Sequence, residues 1–155
     1  MDEIYIKIPG KPIAKQTHRE CVKVDWVKRD MRRWPYFPQA KEAAEVRQII
    51  QTQYQGDILD TAIFVRFVFH IGIPKSWTKR QKHLAQTGLL LPISKPDASN
   101  LAKFYEDCMK GIIYSDDSRI VWVSPIKKYD DEAYTEIFIT PFRFEDYERF
   151  QRLAA

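Results

Sequence analysis

The chain reads as an α+β (mixed α/β) fold, a single small domain over residues 1–155 in which a mixed sheet is flanked by helices. Three observations predict this. Two stretches rich in β-branched and aromatic residues, Ala62 to Ile71 and Arg119 to Ile126, are separated by segments of helical period. Apolar residues make up 45% of the 155, enough for a real core and too many for extended disorder. No internal repeat, low-complexity tract or linker divides the chain.

Ile4 to Ile8 alternates apolar and polar side chains, as an opening strand does, and Pro9-Gly10-Lys11-Pro12 ends it with turn chemistry. Residues 11–38 are the least regular part and read as a long, mobile loop. There Lys28, Arg29, Arg32 and Arg33 interleave with Trp26, Trp34, Tyr36 and Phe37. Such a loop suits phosphates and unstacked bases, or else its aromatics fill a core edge. From Gln39 to Tyr54, Ala43, Val46, Ile49 and Ile50 recur at helical spacing, and Gly56-Asp57 closes that helix. Ala62 to Ile71 is a central strand. Ser76 is placed to cap a short helix running to about Leu84.

The next helix runs from about Ser99 or Asn100 to Lys110, with Gly111 as its stop. Leu101, Phe104, Tyr105, Cys108 and Ile112 mark its buried side, and Asn100, Lys103 and Asp107 share another. Arg119 to Ile126 should be a strand, with Tyr134 to Thr140 as its hairpin partner across an acidic turn. Glu145 to Ala155 has the pattern of a terminal amphipathic helix.

Charge is unevenly distributed. Between Lys75 and Lys103, the cations Lys75, Lys79, Arg80, Lys82, Lys95 and Lys103 face one acid, Asp97. From Asp130 to Phe150 the balance reverses, with seven acids against Arg143 and Arg149. A polyanion would meet a basic face, although a solvated Lys-rich surface has the same composition. Asp60, Arg66 and His70 interrupt the most apolar segment, which argues against a membrane span. The first residues lack a secretory layout, and Cys21 and Cys108 form no metal or redox spacing. A reduced, cytoplasmic setting is the expectation.

The richest chemistry lies between Lys95 and Ser118. Asp97 stands at a helix start, Asp116 and Asp117 on a loop beyond its end, and Lys103 between them. Carboxylates gathered beside a lysine are what Mg2+-dependent phosphodiester hydrolysis needs, the metal taking hard oxygen ligands and keeping several waters. The same residues also suit plain structural roles, Asp97 and Ser99 as helix caps and Ser115-Asp116-Asp117-Ser118 as a turn. His18, His70 and His83 have no metal-ligand spacing and read as satisfied or solvated.

In order and spacing, Lys95-Pro96-Asp97-x-x-Asn100-Leu101-x-Lys103, then Asp107, Gly111 and Tyr114-x-Asp116-Asp117-Ser118-x-Ile120, resembles the RusA family of Holliday junction resolvases. Ile73-Pro74-Lys75-Ser76-Trp77 upstream and Lys127-Lys128-Tyr129 downstream extend the resemblance over residues 61–140. The resemblance implies a RusA-like homodimer that binds four-way DNA junctions and makes paired symmetric nicks with Mg2+ in recombination and repair. It implies that Asp97 and Asp117, with Asp116 adjacent, bind the metal and that Lys103 assists catalysis. Lys28, Arg29, Arg32, Arg33, Lys75, Lys79, Arg80, Lys82 and Lys95 would grip the DNA backbone. A bacterial or prophage-encoded origin is the family's expectation.

One position departs from the family pattern, which is Asp-x-Asp-Asn. Here it reads Asp97-Ala98-Ser99-Asn100. A hydroxyl at Ser99 can offer an oxygen but neutralises nothing. Either Asp97, Asp116 and Asp117 suffice, helped by Asp107, or the chain is an impaired relative that still binds branched DNA.

Overall fold

The computed structural model describes residues 3–16 and 19–148. In chain order the elements are β1 (Ile4–Pro9), β2 (Arg19–Asp25), β3 (Asp30–Tyr36), α1 (Ala40–Gln53), β4 (Ile63–Gly72), α2 (Lys79–Gln86), α3 (Ala98–Met109), a 3-10 turn at Asp117–Arg119, β5 (Ile120–Asp130) and β6 (Tyr134–Pro141). The architecture is mixed α+β, as the sequence predicts. A helical segment at 144–148 begins the expected terminal helix, whose remainder lies outside the described residues, as does His18. Among the described residues no helix is long and apolar enough to cross a membrane.

Four strands form one mixed sheet in the order β1-β6-β4-β5. β4 pairs in parallel with β5, and β6 is antiparallel to both β4 and β1. The expected hairpin between β5 and β6 therefore does not form. The reason lies in the core: between β1 and β4, Ile137 faces Ile6 on one side and Phe67 on the other, while Ile139 meets Ile4 and Val65. A hairpin with edge strand β5 would give β6 only one such neighbour.

One face of the sheet carries the core. Ile6, Ile8, Ile63, Val65, Phe67, Phe69, Ile137 and Ile139 pack against Val46 and Ile50 of α1 and Leu101, Phe104, Tyr105 and Cys108 of α3. The Tyr105 hydroxyl accepts from the Ile13 amide at 3.1 Å and from Thr135 Oγ1 at 3.2 Å, which keys α3 to the sheet. α3 ends where expected, with Gly111 at φ +76°, a conformation glycine adopts at little cost.

Two further expectations change. Thr78, not Ser76, caps α2: its hydroxyl accepts from the Gln81 amide at 3.3 Å, and the Gln81 side chain accepts from the Thr78 amide at 3.0 Å. That reciprocal capping box needs Gln three residues after the cap, and only Thr78 has one. Residues 19–36 are not a loop but the hairpin β2–β3, a two-stranded sheet of its own. Its Cys21-Val22-Lys23-Val24 alternation was masked by the surrounding charge.

The other face of the main sheet holds a polar cluster around one buried histidine. His70, 1% exposed, places Nδ1 2.8 Å from Asp130 Oδ2 and Nε2 2.8 Å from Glu136 Oε2. Tyr134 stacks on the ring at 3.7 Å, Lys7 lies over Tyr134, and the Tyr5 hydroxyl donates to Glu136. Burial pushes these two carboxyls up, but hydrogen bonds from His70, the Asp131 amide and Tyr5 outweigh it. Both sit below the usual range.

Replacing His70 with Leu is expected to remove the ring's contact with each carboxylate, leaving Glu136 with Tyr5 and Asp130 with the Asp131 amide. Partial exposure of Asp130 reduces the cost of a broken buried pair to about 2–3 kcal/mol at neutral pH. The native carboxyls are depressed, so their contribution is present above the ordinary carboxylate range and lost below about pH 4. Urea unfolding at pH 7 and pH 3.5 should show the variant's deficit shrinking at the lower pH; a pH-independent deficit would mean packing loss alone.

Candidate active site

α3 determines where the acidic motif lies. Asp97 is the residue before its first turn, exposed, with φ −70° and ψ 145°, and its side chain makes no capping hydrogen bond. The simple capping role open to it in the sequence is therefore not the one it plays. The segment before it is tied to the edge strand. Lys127 Nζ of β5 donates to the carbonyls of Ser94 at 2.8 Å and Pro96 at 2.9 Å. Ser99 and Lys103 are exposed on the same helix, Ser99 in the first turn and Lys103 one turn further.

Asp116 and Asp117 lie at the opposite end. The chain turns sharply after α3, where the Gly111 amide donates to the Tyr114 carbonyl at 2.8 Å. Lys110 Nζ then reaches Asp116 Oδ2 at 2.6 Å and Asp117 Oδ2 at 4.0 Å. Asp116 does serve the turn as well, its Oδ1 accepting from the Ser118 amide at 3.1 Å. With the Lys110 hydrogen bond as the largest cause and Ser118 next, the Asp116 carboxyl falls to about 2.

Two carboxylates of α3 complete this end. Asp107, on the helix face it shares with Asn100 and Lys103 as expected, is paired to Lys15 at 2.7 Å. Glu106, half-buried, is held above the ordinary range by burial first, then by the charges of Asp117 and Asp107. Glu106 and Lys110 were missed in the sequence, where they read as ordinary helix formers. Their signal was the spacing, since Lys103, Glu106 and Lys110 share a helix face and Gly111 folds the aspartates back onto it.

The two groups are well separated. A helix of 12 residues at about 1.5 Å each spans about 18 Å, with Asp97 before its first turn and Lys110, which holds Asp116, after its last. Among the described residues no cluster of three His, Cys, Asp or Glu could hold a metal. The donors are hard oxygens of the right kind for Mg2+, but in one chain they lie in two groups at the two ends of α3.

The expected DNA contacts are also dispersed. Lys28, Arg29, Arg32 and Arg33 lie exposed on the hairpin, with Arg32 paired to Asp30 at 3.2 Å. Lys79, Arg80 and Lys82 are on α2, where Lys82 Nζ donates to the Lys75 carbonyl at 3.0 Å, and Lys95 precedes Pro96. A cavity of about 520 Å3, lined among others by Phe64, Arg66, Trp122 and Phe142, includes none of the candidate residues.

A compact α+β domain with exposed carboxylates at both ends of one helix, and lysines beside them, has the features of a phosphodiester-cleaving enzyme. Comparison with known proteins agrees. The family described as Endodeoxyribonuclease RusA matches residues 9–140, most of the chain. The sequence is also 30% identical over 143 residues to the Bacillus subtilis (strain 168) protein named "Uncharacterized protein YqaN", covering 90% of this chain and 96% of that one. The chain belongs to the RusA endodeoxyribonuclease family, the Holliday junction resolvase endonucleases.

Carbon-detected NMR titration should find the Asp116 carboxyl with a midpoint near 2. Lys110→Met is expected to return it toward the ordinary value of about 3.9. Because the native carboxyl is depressed, its contribution to stability is complete above that ordinary value and disappears as pH falls toward 2. A midpoint unmoved by the substitution would assign the shift to the Ser118 amide instead.

Proposed function

We propose that the chain is a Mg2+-dependent endodeoxyribonuclease that resolves four-way DNA junctions by paired symmetric nicks. It acts as a homodimer in recombination and repair, in the intracellular setting of a bacterial or prophage-encoded protein. The observation that carries this reading is the division of exposed carboxylates between the two ends of α3. A twofold axis crossing α3 near its middle would lay the Asp97 end of one copy beside the Asp116-Asp117 end of the other. Two identical sites then arise together, as two nicks on opposing strands require.

Support for such a pairing comes from β5. It is an edge strand, and its Val121, Val123 and Ile126 are exposed. In each shared site Asp97, Asp116 and Asp117 would hold the cation, which when bound supplies charge neutralisation at the scissile phosphate. The chain's own residues do the rest. Lys103 lies on the exposed helix face to meet a nonbridging phosphate oxygen, while Lys110 and the Ser118 amide fix Asp116 as an unprotonated carboxylate. Lys75, Lys79, Arg80, Lys82 and Lys95 would neutralise the DNA backbone, so affinity should fall steeply with salt.

Mixing two inactive variants tests the shared site directly. Asp97→Asn and Asp117→Asn should each abolish Mg2+-stimulated cutting of a synthetic four-way junction. Re-equilibrated together, they form mixed pairs in which one site carries both changes and the other carries neither, so single nicks should return. Sites contained within one chain would stay dead in the mixture, and a wild-type chain that nicks nothing at high Mg2+ would remove the catalytic assignment.

A second reading, a weakened enzyme that chiefly binds branched DNA, draws on Ser99, a neutral exposed side chain beside Asp97. Ser99→Asp should then lower the Mg2+ concentration for half-maximal cutting by roughly tenfold, the scale of lost supporting groups at metal sites. An unchanged requirement would show that Ser99 takes no part.

A further inference from the structure

The hairpin β2–β3 is the part of the molecule that the proposed shared sites do not use. Its side-chain bonds stay within it, from Asp25 to the turn and between Arg32 and Asp30. Among the described residues, none of the hairpin belongs to the core cluster. Pairing sorts its side chains onto two faces. Cys21 opposite Trp34 and Lys23 opposite Arg32 share one, while Val22 opposite Arg33 and Val24 opposite Met31 share the other. Each face mixes cations with exposed apolar surface.

The apex is the most unusual point. Trp26 is 85% exposed and Val27 94% exposed, an arrangement water disfavours unless something else covers it. Yet the turn is built, not loose. Asp25 Oδ1 accepts from the Val27 and Lys28 amides, both at 3.1 Å, and Arg29 takes φ +49°, a left-handed conformation costly for a residue with a Cβ. A tryptophan is thus held outward on an ordered tip, flanked by Lys28 and Arg29.

The charge says what covers it. Over residues 19–36 there are six Lys/Arg against three Asp/Glu, so the occupant is anionic, and a bare indole asks for an aromatic face. Unpaired nucleobases on a phosphate backbone meet both requirements, through stacking and charge. Seven-residue strands at about 3.4 Å per residue give an arm of about 24 Å, ample to cross a major groove of about 12 Å.

We propose that the β2–β3 arm reads the branch point: Trp26 stacks on a base exposed where the four duplexes meet, while Lys23, Lys28, Arg29 and Arg33 hold the adjacent phosphates. This rests on the junction-nuclease reading and adds to it the element that distinguishes a branch from plain duplex. Affinity for duplex comes from the cations alone. Preference for the branch comes from the indole.

The test uses the full chain in EDTA, so cutting plays no part, with a four-way junction carrying 2-aminopurine at the branch point and a linear duplex as control. Wild type should bind the junction and quench the 2-aminopurine fluorescence, as stacking on an indole does. Trp26→Ala should lose that quenching and about tenfold in junction affinity while binding duplex within twofold of wild type, and Trp26→Phe should recover part of both. Equal fluorescence and affinity for wild type and Trp26→Ala would overturn the proposal. So would a Trp26→Ala protein that sediments as monomer where wild type is a dimer, since the arm would then be a contact between copies. A wild-type chain that binds duplex but shows no junction preference would remove the nuclease reading itself, a result distinct from the other two.

Discussion

The packing of α3 against the sheet is the constraint on which the rest depends. Leu101, Phe104, Tyr105 and Cys108 are buried against Phe67, Phe69 and their neighbours, with the Phe69 and Tyr105 rings 5.8 Å apart. A buried aromatic residue contributes about 1.5–3 kcal/mol, and several along one face leave the helix no freedom to shift. The tight turn at Gly111 and the Lys127 bonds to the Ser94 and Pro96 carbonyls then place the chain at either end. Helix length becomes the distance between two acidic groups. That distance is what makes a second copy of the chain part of the chemistry proposed above.

Charge is used in two ways. Several cations that swell the basic count serve the protein's own structure: Lys15 pairs with Asp107, Lys110 with Asp116, and Lys127 with backbone carbonyls. On the far face of the sheet the buried His70 ring bridges two carboxylates, Asp130 and Glu136. What remains outward, on α2 and on the arm, is the part a polyanion can meet.

How much of this was legible in the sequence follows from range. α1, β4 and α3 rest on local periodicity, and their bounds lie within a few residues of those read from the pattern. The position of β6 between β1 and β4 is settled by which neighbours can bury Ile137 and Ile139, a long-range comparison no local pattern contains. The arm was hidden because its alternation is interrupted by charges that face water on both sides. At the site, the residue types were plain, and the helix between Asp97 and Asp117 was legible too, but the sequence carries no distance between its two ends. The polar cluster of His70 joins three strands and left no trace in spacing; an isolated histidine in a strand was its whole signal.

The separate sheet of β2 and β3 has a dynamic consequence. A two-stranded hairpin with no core of its own is marginally stable in water. Its opening therefore draws on local free energy and leaves the main sheet intact, so the chain has two cooperative units of very different strength. Amide exchange across residues 19–36 would run ahead of that in β4 by orders of magnitude. The molecule is accordingly a rigid body with a separately opening limb, whose built turn can meet a branched surface without disturbing the helix that sets its carboxylates.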